Sequence, residues 1–305
     1  MEYIRNQLDY TIKEDTVITL GKFDGLHRGH ELLMDKLLEK GREYGYRTVV
    51  FTFDIPPRRQ VDEAEARVLT TNEEKRYIFE RTGVDYLFEC PFTREVMCMS
   101  PEEFIAWIVK AFHVRCIVAG ADFHFGHNRA GDYRVLRACA DKYGYELIVL
   151  EKMQEDGRDI SSSFVREEIL RGNIEKANHL LGYEFFVQST VVHGRRLGRT
   201  LGIPTINMEF EEQKLLPRIG VYVTRVHIGG MSYAGVTNVG CKPTVSDSGK
   251  VGVETHIIGY EGDLYGKVLI VQFLHYIRPE MHFASVEELQ EQMKRDIAAA
   301  TACYQ

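Results

Sequence analysis

The chain has 305 residues, of which 44% are hydrophobic and 27% are charged, and its formal net charge is −7. This length and composition predict a soluble globular protein with two domains of ordinary size. The acidic balance argues against general nucleic-acid binding, because that function needs a basic face. No apolar run approaches the roughly 20 residues of a membrane-spanning helix, so no membrane association is predicted.

The six cysteines form no C-x-x-C pair, and the first 16 residues are polar. Free thiols and the lack of a secretory signal pattern predict a cytoplasmic protein. A zinc site is not expected without paired ligands. The sequence carries no signal for an oligomeric state.

The first half of the chain alternates between apolar strands and amphipathic helices. Strands are predicted at 16–21, 47–53, 84–90, 115–120 and 145–151, and helices at 31–45, 71–83, 100–112 and 132–144. This order predicts a Rossmann-like α/β domain with a parallel sheet covered on both faces. Ligands of such sheets bind beyond the carboxyl ends of the strands, where "GKFDGLHRGH" (21–30), "FDIPPR" (53–58) and "GADFHFG" (120–126) lie.

The pattern changes after a predicted helix from about Ser163 to Leu181. Glycine-rich turns then separate predicted strands at 184–194, 220–230, 231–240, 251–260 and 264–278. Regularly spaced short strands predict a small antiparallel β-barrel. A terminal helix follows from Ser285, with Glu288 in position to complete a capping box. The predicted domains are therefore 1–183 and 184–305.

The stretch "GKFDGLHRGH" predicts a helix that starts at or just before His30. His27 and His30 then face the same side of the first turn, beside the unpaired N–H groups of the helix end. Gly29 allows a ligand to approach the backbone. A polyphosphate cradle fits these features, whereas half of a metal site and an incidental surface turn remain the alternatives.

These residues resemble the G-x-F-D-G-x-H-x-G-H signature of nucleotidyltransferases, in particular the adenylyltransferase half of bacterial bifunctional riboflavin kinase/FAD synthetases. "GADFHFGHNRAGD" (120–132) resembles the flavin-side loop of that family, and "ISSSFVREEILRGNIEKANHLLG" (160–182) its I-S-S-T-x-I-R segment. The resemblance implies that FMN is adenylated by ATP. It implies catalytic roles for His27, His30 and Arg166.

The resemblance also implies binding residues in this domain. It assigns ATP binding to Gly21, Phe23, Asp24, His27, Gly29, His30, Ser162, Ser163 and Arg166, and flavin binding to Asp122, Phe123 and Phe125. Because the attacking phosphate of FMN is already anionic, the protein has only to neutralise and align two anions. The family's F-D-P-H-P is "FDIPPR" here, without the histidine, so a kinase with a weak or inactive adenylyltransferase is the alternative.

The second half carries "HGRRLGRTLGIPTINMEF" (193–210). Its interleaved glycines and arginines predict either an anion-binding loop, which would include Gly194 and Arg199, or a mobile basic loop. "GIPTIN" (202–207) resembles the G-x-P-T-A-N motif of riboflavin kinases. That resemblance implies that Thr205 and Asn207 bind Mg²⁺ together with ATP phosphates, and neutral oxygen ligands suit this ion.

The strand "VGVETHIIGY" (251–260) places Glu254 on one face with Gly252 and His256. By periodicity, Glu254 is either a solvent-facing carboxylate or a base, and the resemblance to riboflavin kinases implies the base. The matches run from about residue 16 to 296. They predict an enzyme that makes FMN from riboflavin and then FAD from FMN, with ATP and Mg²⁺. A non-catalytic flavin-binding regulator is a further alternative.

Overall fold

The computed structural model describes residues 1–54, 67–194, 202–210, 212–241 and 251–304. The chain divides into two compact units, Met1–Ser162 and Ser163–Gln305. The first unit contains a parallel sheet, and the second contains a closed barrel.

The first unit is built on six parallel strands in the order β1-β4-β3-β2-β5-β6. Their bounds are β1 (Glu2–Arg5), β2 (Thr16–Leu20), β3 (Arg47–Phe53), β4 (Tyr86–Cys90), β5 (Val114–Gly120) and β6 (Glu146–Leu150). The predicted parallel sheet is thus confirmed, while β1 was missed because its four residues are too short to show a period. Two hydrophobic clusters, one around Ile18 and Phe51 and one around Val17 and Val50, pack this unit.

The strand order creates a switch point between β2 and β5. From β2 the chain moves through β3 to β4 on one side, and β5 then returns to the other side of β2. Connections that leave adjacent strands in opposite directions open a crevice at their carboxyl ends, where α/β proteins bind ligands. The loop that follows Leu20 and the loop that follows Gly120 both border this crevice.

The helices described in the first unit are α1 (Arg28–Tyr44), α2 (Asn72–Phe79), α3 (Arg94–Cys98), α4 (Pro101–Phe112) and α5 (Tyr133–Tyr143). The short helix α3 was not predicted, whereas α2 and α4 begin at the predicted caps. Capping boxes join Thr71 to Glu74 and Ser100 to Glu103, as predicted, and satisfy the first free N–H groups of α2 and α4. A short hairpin, β7 (Gln154–Glu155) with β8 (Arg158–Asp159), follows β6.

The helix predicted from Ser163 to Leu181 is in fact two helices, α6 (Ser162–Arg171) and α7 (Ile174–Leu181). Gly172 has a φ of 86°, which ends α6 because a left-handed residue cannot continue the helix. The Asn173 amide then donates to the carboxylate of Glu168 across the break at 2.7 Å. The apolar pattern runs through both helices, so it did not predict the break that Gly172 causes.

The second unit is a closed six-stranded antiparallel barrel in the order β10-β13-β12-β11-β14-β9, as predicted. Its strands are β9 (Phe186–Val192), β10 (Ile206–Met208), β11 (Gly220–Ile228), β12 (Met231–Cys241), β13 (Val251–Ile257) and β14 (Val268–Arg278). The three-residue strand β10 was not predicted as a strand. Inside the barrel, the buried hydroxyl of Thr237 lies 2.8 Å from those of Thr224 and Thr255.

The terminal helix α8 (Val286–Tyr304) begins directly after Ser285. The Ser285 hydroxyl accepts the Glu288 N–H at 3.2 Å, as expected of a cap. The Glu288 carboxylate, however, accepts from the N–H of Ala284 at 3.0 Å and not from that of Ser285. Of the two hydrogen bonds of the predicted capping box, the one accepted by the Ser285 hydroxyl is therefore present. The Glu288 side chain bonds instead to the N–H of the residue before Ser285.

Candidate active sites

The histidines of "GKFDGLHRGH" stand together at the start of α1. His27 is the N-cap residue, and its carbonyl accepts the His30 N–H at 2.7 Å. The two rings stack with centroids 3.8 Å apart and planes 22° from parallel. Among the described residues, neither Nδ1 atom has a hydrogen-bond partner. The predicted pairing of the two side chains is confirmed, and buried ring nitrogens without partners are typical of a binding site.

Burial keeps both imidazoles neutral. It lowers the pKa of His27 to about 4, an effect that Asp122 opposes and Lys152 reinforces. The pKa of His30 lies well below the usual value, chiefly because of burial and also because of His27 and Lys75. Each neutral ring offers one N–H donor, and an anionic phosphate nearby would favour a second proton.

The loop between β2 and α1 is held through Asp24, by both its side-chain carboxylate and its backbone carbonyl. The Asp24 carboxylate accepts the N–H groups of Leu69 at 2.7 Å and Thr70 at 3.1 Å. The Ser162 hydroxyl donates to the Asp24 carbonyl at 2.8 Å. These bonds join the two sequence motifs that contain Asp24 and Ser162, and they give Asp24 a structural role in addition to the ATP contact predicted for it.

The predicted ATP-binding residues Gly21, Phe23 and Gly29 lie around the histidines and allow their rings to pack closely. Phe23 is only 1% exposed and meets the His30 ring edge-on at 5.1 Å. A Cβ on Gly21 would lie 2.9 Å from the Phe23 ring, and one on Gly29 would lie 3.1 Å from His27 Nδ1. The glycines make room for the neighbouring rings, and Phe23 acts through its packing against His30.

On the β5 side of the crevice, Asp122 is exposed and pairs with Lys152 at 3.2 Å. Lys152 also pairs with Asp159 at 3.1 Å. The rings of Phe123 and Phe125 stack with centroids 5.4 Å apart, and Phe125 is buried. Phe125 therefore supports the half-buried Phe123, which is the more accessible of these two rings.

Sequence reasoning missed two lysines of this site. Lys152 follows β6 and interacts electrostatically with His27 and Asp122. Lys75 on α2 is buried, and its Nζ lies 3.3 Å from Thr52 Oγ1 and 3.4 Å from the Phe53 carbonyl. Burial lowers the pKa of Lys75, whereas Glu89 opposes that change. No motif marks either residue, because only the fold brings them to the strand ends.

Ser163 and Arg166, which the resemblance places on the ATP phosphates, lie on α6. They belong to the second compact unit, and their predicted contacts with ATP remain predictions. Residues 55–58 of "FDIPPR" and the predicted phosphate ligand Arg199 lie outside the described residues. Within the described ranges, no group of three histidine, cysteine or acidic residues is placed to hold a metal ion.

The second site lies on the outer face of the barrel. The register places Asn207 on β10 and Asn238 on β12 opposite Glu254 on β13. Because Thr255 points into the barrel, its neighbours Glu254 and His256 point outward, as the alternation predicts. Glu254 is thereby flanked by two amide side chains.

A cavity of about 440 Å³ opens beside Glu254. Its apolar residues come from strands, α8 and the loops beside them, and they are Ile203, Val221, Val236, Met281, Phe283, Leu289, Met293 and Ile297. Its polar and charged residues are equally numerous, and they are Thr205, Asn238, Glu254, His256, Arg278, Glu280, His282 and Asp296. An apolar wall combined with polar groups that can orient a ligand is typical of a small-molecule site.

The cavity wall is fixed by an ion pair between the barrel and α8. The guanidinium of Arg278 donates to both carboxylate oxygens of Asp296, and the shortest bond is 2.7 Å. Asp296 is 2% exposed, so the pair is shielded from solvent. A paired geometry of this kind holds α8 in place as one side of the cavity.

The predicted metal ligands fit a magnesium ion. Asn207 is 4% exposed, and its Oδ1 atom has no hydrogen-bond partner among the described residues. A Cβ on Gly194 would lie 2.2 Å from Asn207 Nδ2, so only glycine leaves room for this amide. A buried carbonyl oxygen without a donor suits a cation, and Mg²⁺ takes oxygen ligands. Thr205, two residues away, supplies a hydroxyl at the cavity wall.

Comparison with known proteins agrees with the two kinds of domain. A family model described as FAD synthetase matches residues 9–164, and one described as riboflavin kinase matches residues 181–304. The chain is therefore a two-domain transferase of flavin nucleotide synthesis. It belongs to the family of bifunctional riboflavin kinase/FMN adenylyltransferases, whose members resemble it over nearly its whole length.

Two relatives and one solved structure illustrate the likeness. The Escherichia coli K12 bifunctional enzyme is 36% identical over 302 residues, covering 97% of this chain and 96% of the relative. The Bacillus subtilis 168 enzyme is 31% identical over 295 residues, covering 94% and 93%. The crystal structure of a Streptococcus pneumoniae protein named a macrolide-efflux protein is 31% identical, with a TM-score of 0.87 over 98% of each chain. No helix of the described part of this chain is long and apolar enough to cross a membrane.

Proposed function

We propose that this chain phosphorylates riboflavin to FMN and then adenylates FMN to FAD, with ATP as the donor in both steps. The observation that carries the proposal is the presence of two separate sites, the buried His27/His30 pair and the Asn207/Glu254 pair beside a cavity with an apolar wall. We assign the adenylyl transfer to residues 1–183 and the kinase to residues 184–305. The two family matches support this division.

In the kinase step, the 5′-hydroxyl of riboflavin attacks the γ-phosphorus of ATP, and ADP leaves. An alcohol is a weak nucleophile, so a base that accepts its proton is useful. We assign this role to Glu254, which lines the cavity that would hold the flavin ring. Thr205 and Asn207 would hold Mg²⁺, which neutralises phosphate charge when it is bound.

In the adenylyl transfer, a phosphate oxygen of FMN attacks the α-phosphorus of ATP, and pyrophosphate leaves. No base is needed, and charge develops on the leaving phosphates. His27 and His30 would donate N–H bonds to those oxygens from a buried position, where such bonds are strongest. We propose that Ser162, Ser163 and Arg166 also contact ATP, that Gly194 and Arg199 contact ATP in the kinase site, and that Asp122, Phe123 and Phe125 form the FMN side.

The test is to incubate the purified chain with riboflavin, ATP and Mg²⁺ and to separate the flavins by chromatography. Glu254→Gln should abolish FMN formation but still convert supplied FMN to FAD, and His30→Asn should do the reverse. Matched controls are Glu261→Gln, on an exposed position of the second unit, and His113→Asn, at an exposed helix end of the first. Loss of both activities in one folded variant would refute the two-site assignment.

The same assay decides between the proposal and its alternatives. Accumulation of FMN without FAD would favour a kinase with an inactive adenylyltransferase, and flavin binding without ATP consumption would favour a regulatory protein. We also propose a cytoplasmic location, as the cysteine usage predicts, and cell fractionation would test it.

A further inference from the structure

The loop that carries the proposed metal ligands is tied to β13 by one side chain. His256 Nδ1 lies 2.8 Å from the carbonyl oxygen of Pro204, although the two residues are 52 apart in the chain. A carbonyl can only accept a hydrogen bond, so Nδ1 must carry the proton in this contact. Pro204 directly precedes Thr205, and the planar peptide bond between them shares that carbonyl.

The backbone ladder between β10 and β13 ends just before this contact, so a side chain is needed to bond the loop to β13. The ladder between β10 and β13 pairs Asn207 with Glu254 and Ile206 with Thr255, and its last pair stops one residue short of His256. The next residues of the loop are Thr205 and Pro204, and a proline has no N–H to extend a ladder. The imidazole of His256 therefore continues the connection where backbone bonding ends.

The contact also links the loop and the strand that line one cavity. Thr205, Glu254 and His256 all line the same cavity. Glu254 and His256 are two residues apart on one strand, so they project from the same face. Whatever fixes the Pro204 carbonyl against β13 therefore also constrains the backbone of Thr205 relative to Glu254.

We propose that His256 is a positioning residue for the kinase reaction: its Nδ1–H holds the Pro204 carbonyl and so sets where Thr205 presents its hydroxyl to Mg²⁺ and the ATP phosphates. The inference rests on the proposed kinase function. His256 transfers no proton in this role, because Nδ1 donates to Pro204 in both the neutral and the charged ring.

The test compares His256→Ala, which removes the donor, with His256→Asn, whose side-chain amide places an N–H close to the position of Nδ1. His227→Ala is the matched control, since His227 is an exposed histidine of the same barrel outside the cavity. Kinase rates are measured against Mg²⁺, ATP and riboflavin concentration in the full-length chain. Conversion of supplied FMN to FAD is measured in parallel.

We expect His256→Ala to raise the Mg²⁺ and ATP concentrations for half-maximal kinase rate roughly three- to tenfold, the effect of one lost hydrogen bond. The KM for riboflavin and the adenylyltransferase rate should stay near those of the unmodified chain. His256→Asn should recover most of the loss. The pH profile of kcat should keep its shape in all variants.

Hydrogen exchange gives a readout that does not depend on activity. The amides of residues 202–208 should exchange faster in His256→Ala than in His256→Asn or His227→Ala, because only the alanine frees the loop. Equal exchange in all variants would overturn the proposal, as would unchanged Mg²⁺ and ATP requirements. A lost limb of the pH profile would show acid–base catalysis by His256 and would also overturn it.

The outcomes also separate this inference from the function on which it rests. If the unmodified chain formed no FMN, the kinase proposal would fail, and the role of His256 would fail with it. If the unmodified chain formed FMN while His256→Ala matched it in every constant, only the positioning role would be wrong.

Discussion

The rings of His27 and His30 stack 3.8 Å apart at the start of α1, and burial leaves both of them neutral. Two imidazolium ions could not share this position without strong repulsion. The fold thus keeps the pair neutral, and its protonation state links the stability of the fold to pH.

The stability of the first unit should fall as the pH drops from about 6.5 to 4. The pKa of His27 is about 4 in the folded chain, whereas the ordinary value, which applies to the unfolded chain, is 6.5. Between these values the unfolded chain binds a proton that the folded chain does not, so acid favours unfolding by up to about 3 kcal/mol. Above pH 6.5 His27 is neutral in both the folded and the unfolded chain, so this loss of stability is absent.

Denaturant titrations that follow the fluorescence of Trp107 would measure this effect. Trp107 is the one tryptophan of the sequence, and it packs against the core of the first unit. His27→Asn keeps a good N-cap residue but removes the titrating group, so its stability should depend less on pH. The same pH dependence in both proteins would contradict the assignment.

ATP binding to the first unit should take up protons near pH 6. The phosphates would raise the lowered pKa values of His27 and His30 towards the ordinary value, because opposite charge favours a charged ring, and repulsion between the stacked rings would limit the uptake to about one proton for the pair. Calorimetry in two buffers of different ionisation enthalpy measures the number of protons. The uptake should fall in His27→Asn and in His30→Asn, and an undiminished uptake in both would show that other groups bind the phosphates.

Removing the charge of Lys152 should weaken FMN binding more than ATP binding. Lys152 joins Asp122 to Asp159, and Asp122 is a predicted flavin residue. We expect Lys152→Met to raise the KM for FMN a few-fold, since exposed ion pairs contribute little individually. The control is Lys142→Met, which removes an exposed ion pair with Glu102. An equal effect of the two variants would mean that Lys152 has no special role.

Gly194→Ala should inactivate the kinase and leave the adenylyltransferase active. Its Cβ would collide with the Asn207 amide at 2.2 Å and displace the proposed metal ligand. We expect a loss of roughly tenfold or more in kinase kcat/KM for ATP, the cost of a misplaced ligand group. Gly259→Ala serves as the control, because it strains the backbone at a φ of 73° but meets no atom within 4 Å. Full kinase activity in Gly194→Ala would show that the Asn207 position is not critical.

Much of the fold followed from local patterns. The strands around Ile18 and Val50 were predicted because they are continuously apolar, and the caps Thr71 and Ser100 because a hydroxyl precedes a glutamate by three residues. The break at Gly172 was missed, since glycine inside an apolar helical pattern does not by itself show that its φ is positive.

The sequence by itself determined the two kinds of domain and the residues predicted to form the sites, because periodicity, caps and short motifs are properties of neighbouring residues. Only the tertiary structure decided that β2 lies beside β5, which brings His27 to the crevice that Asp122 borders. It also decided that Asn207 lies opposite Glu254 and that His256 reaches Pro204. These relationships join residues that are about 50 to 100 positions apart in the chain. They are set by strand order and register, which no local pattern encodes.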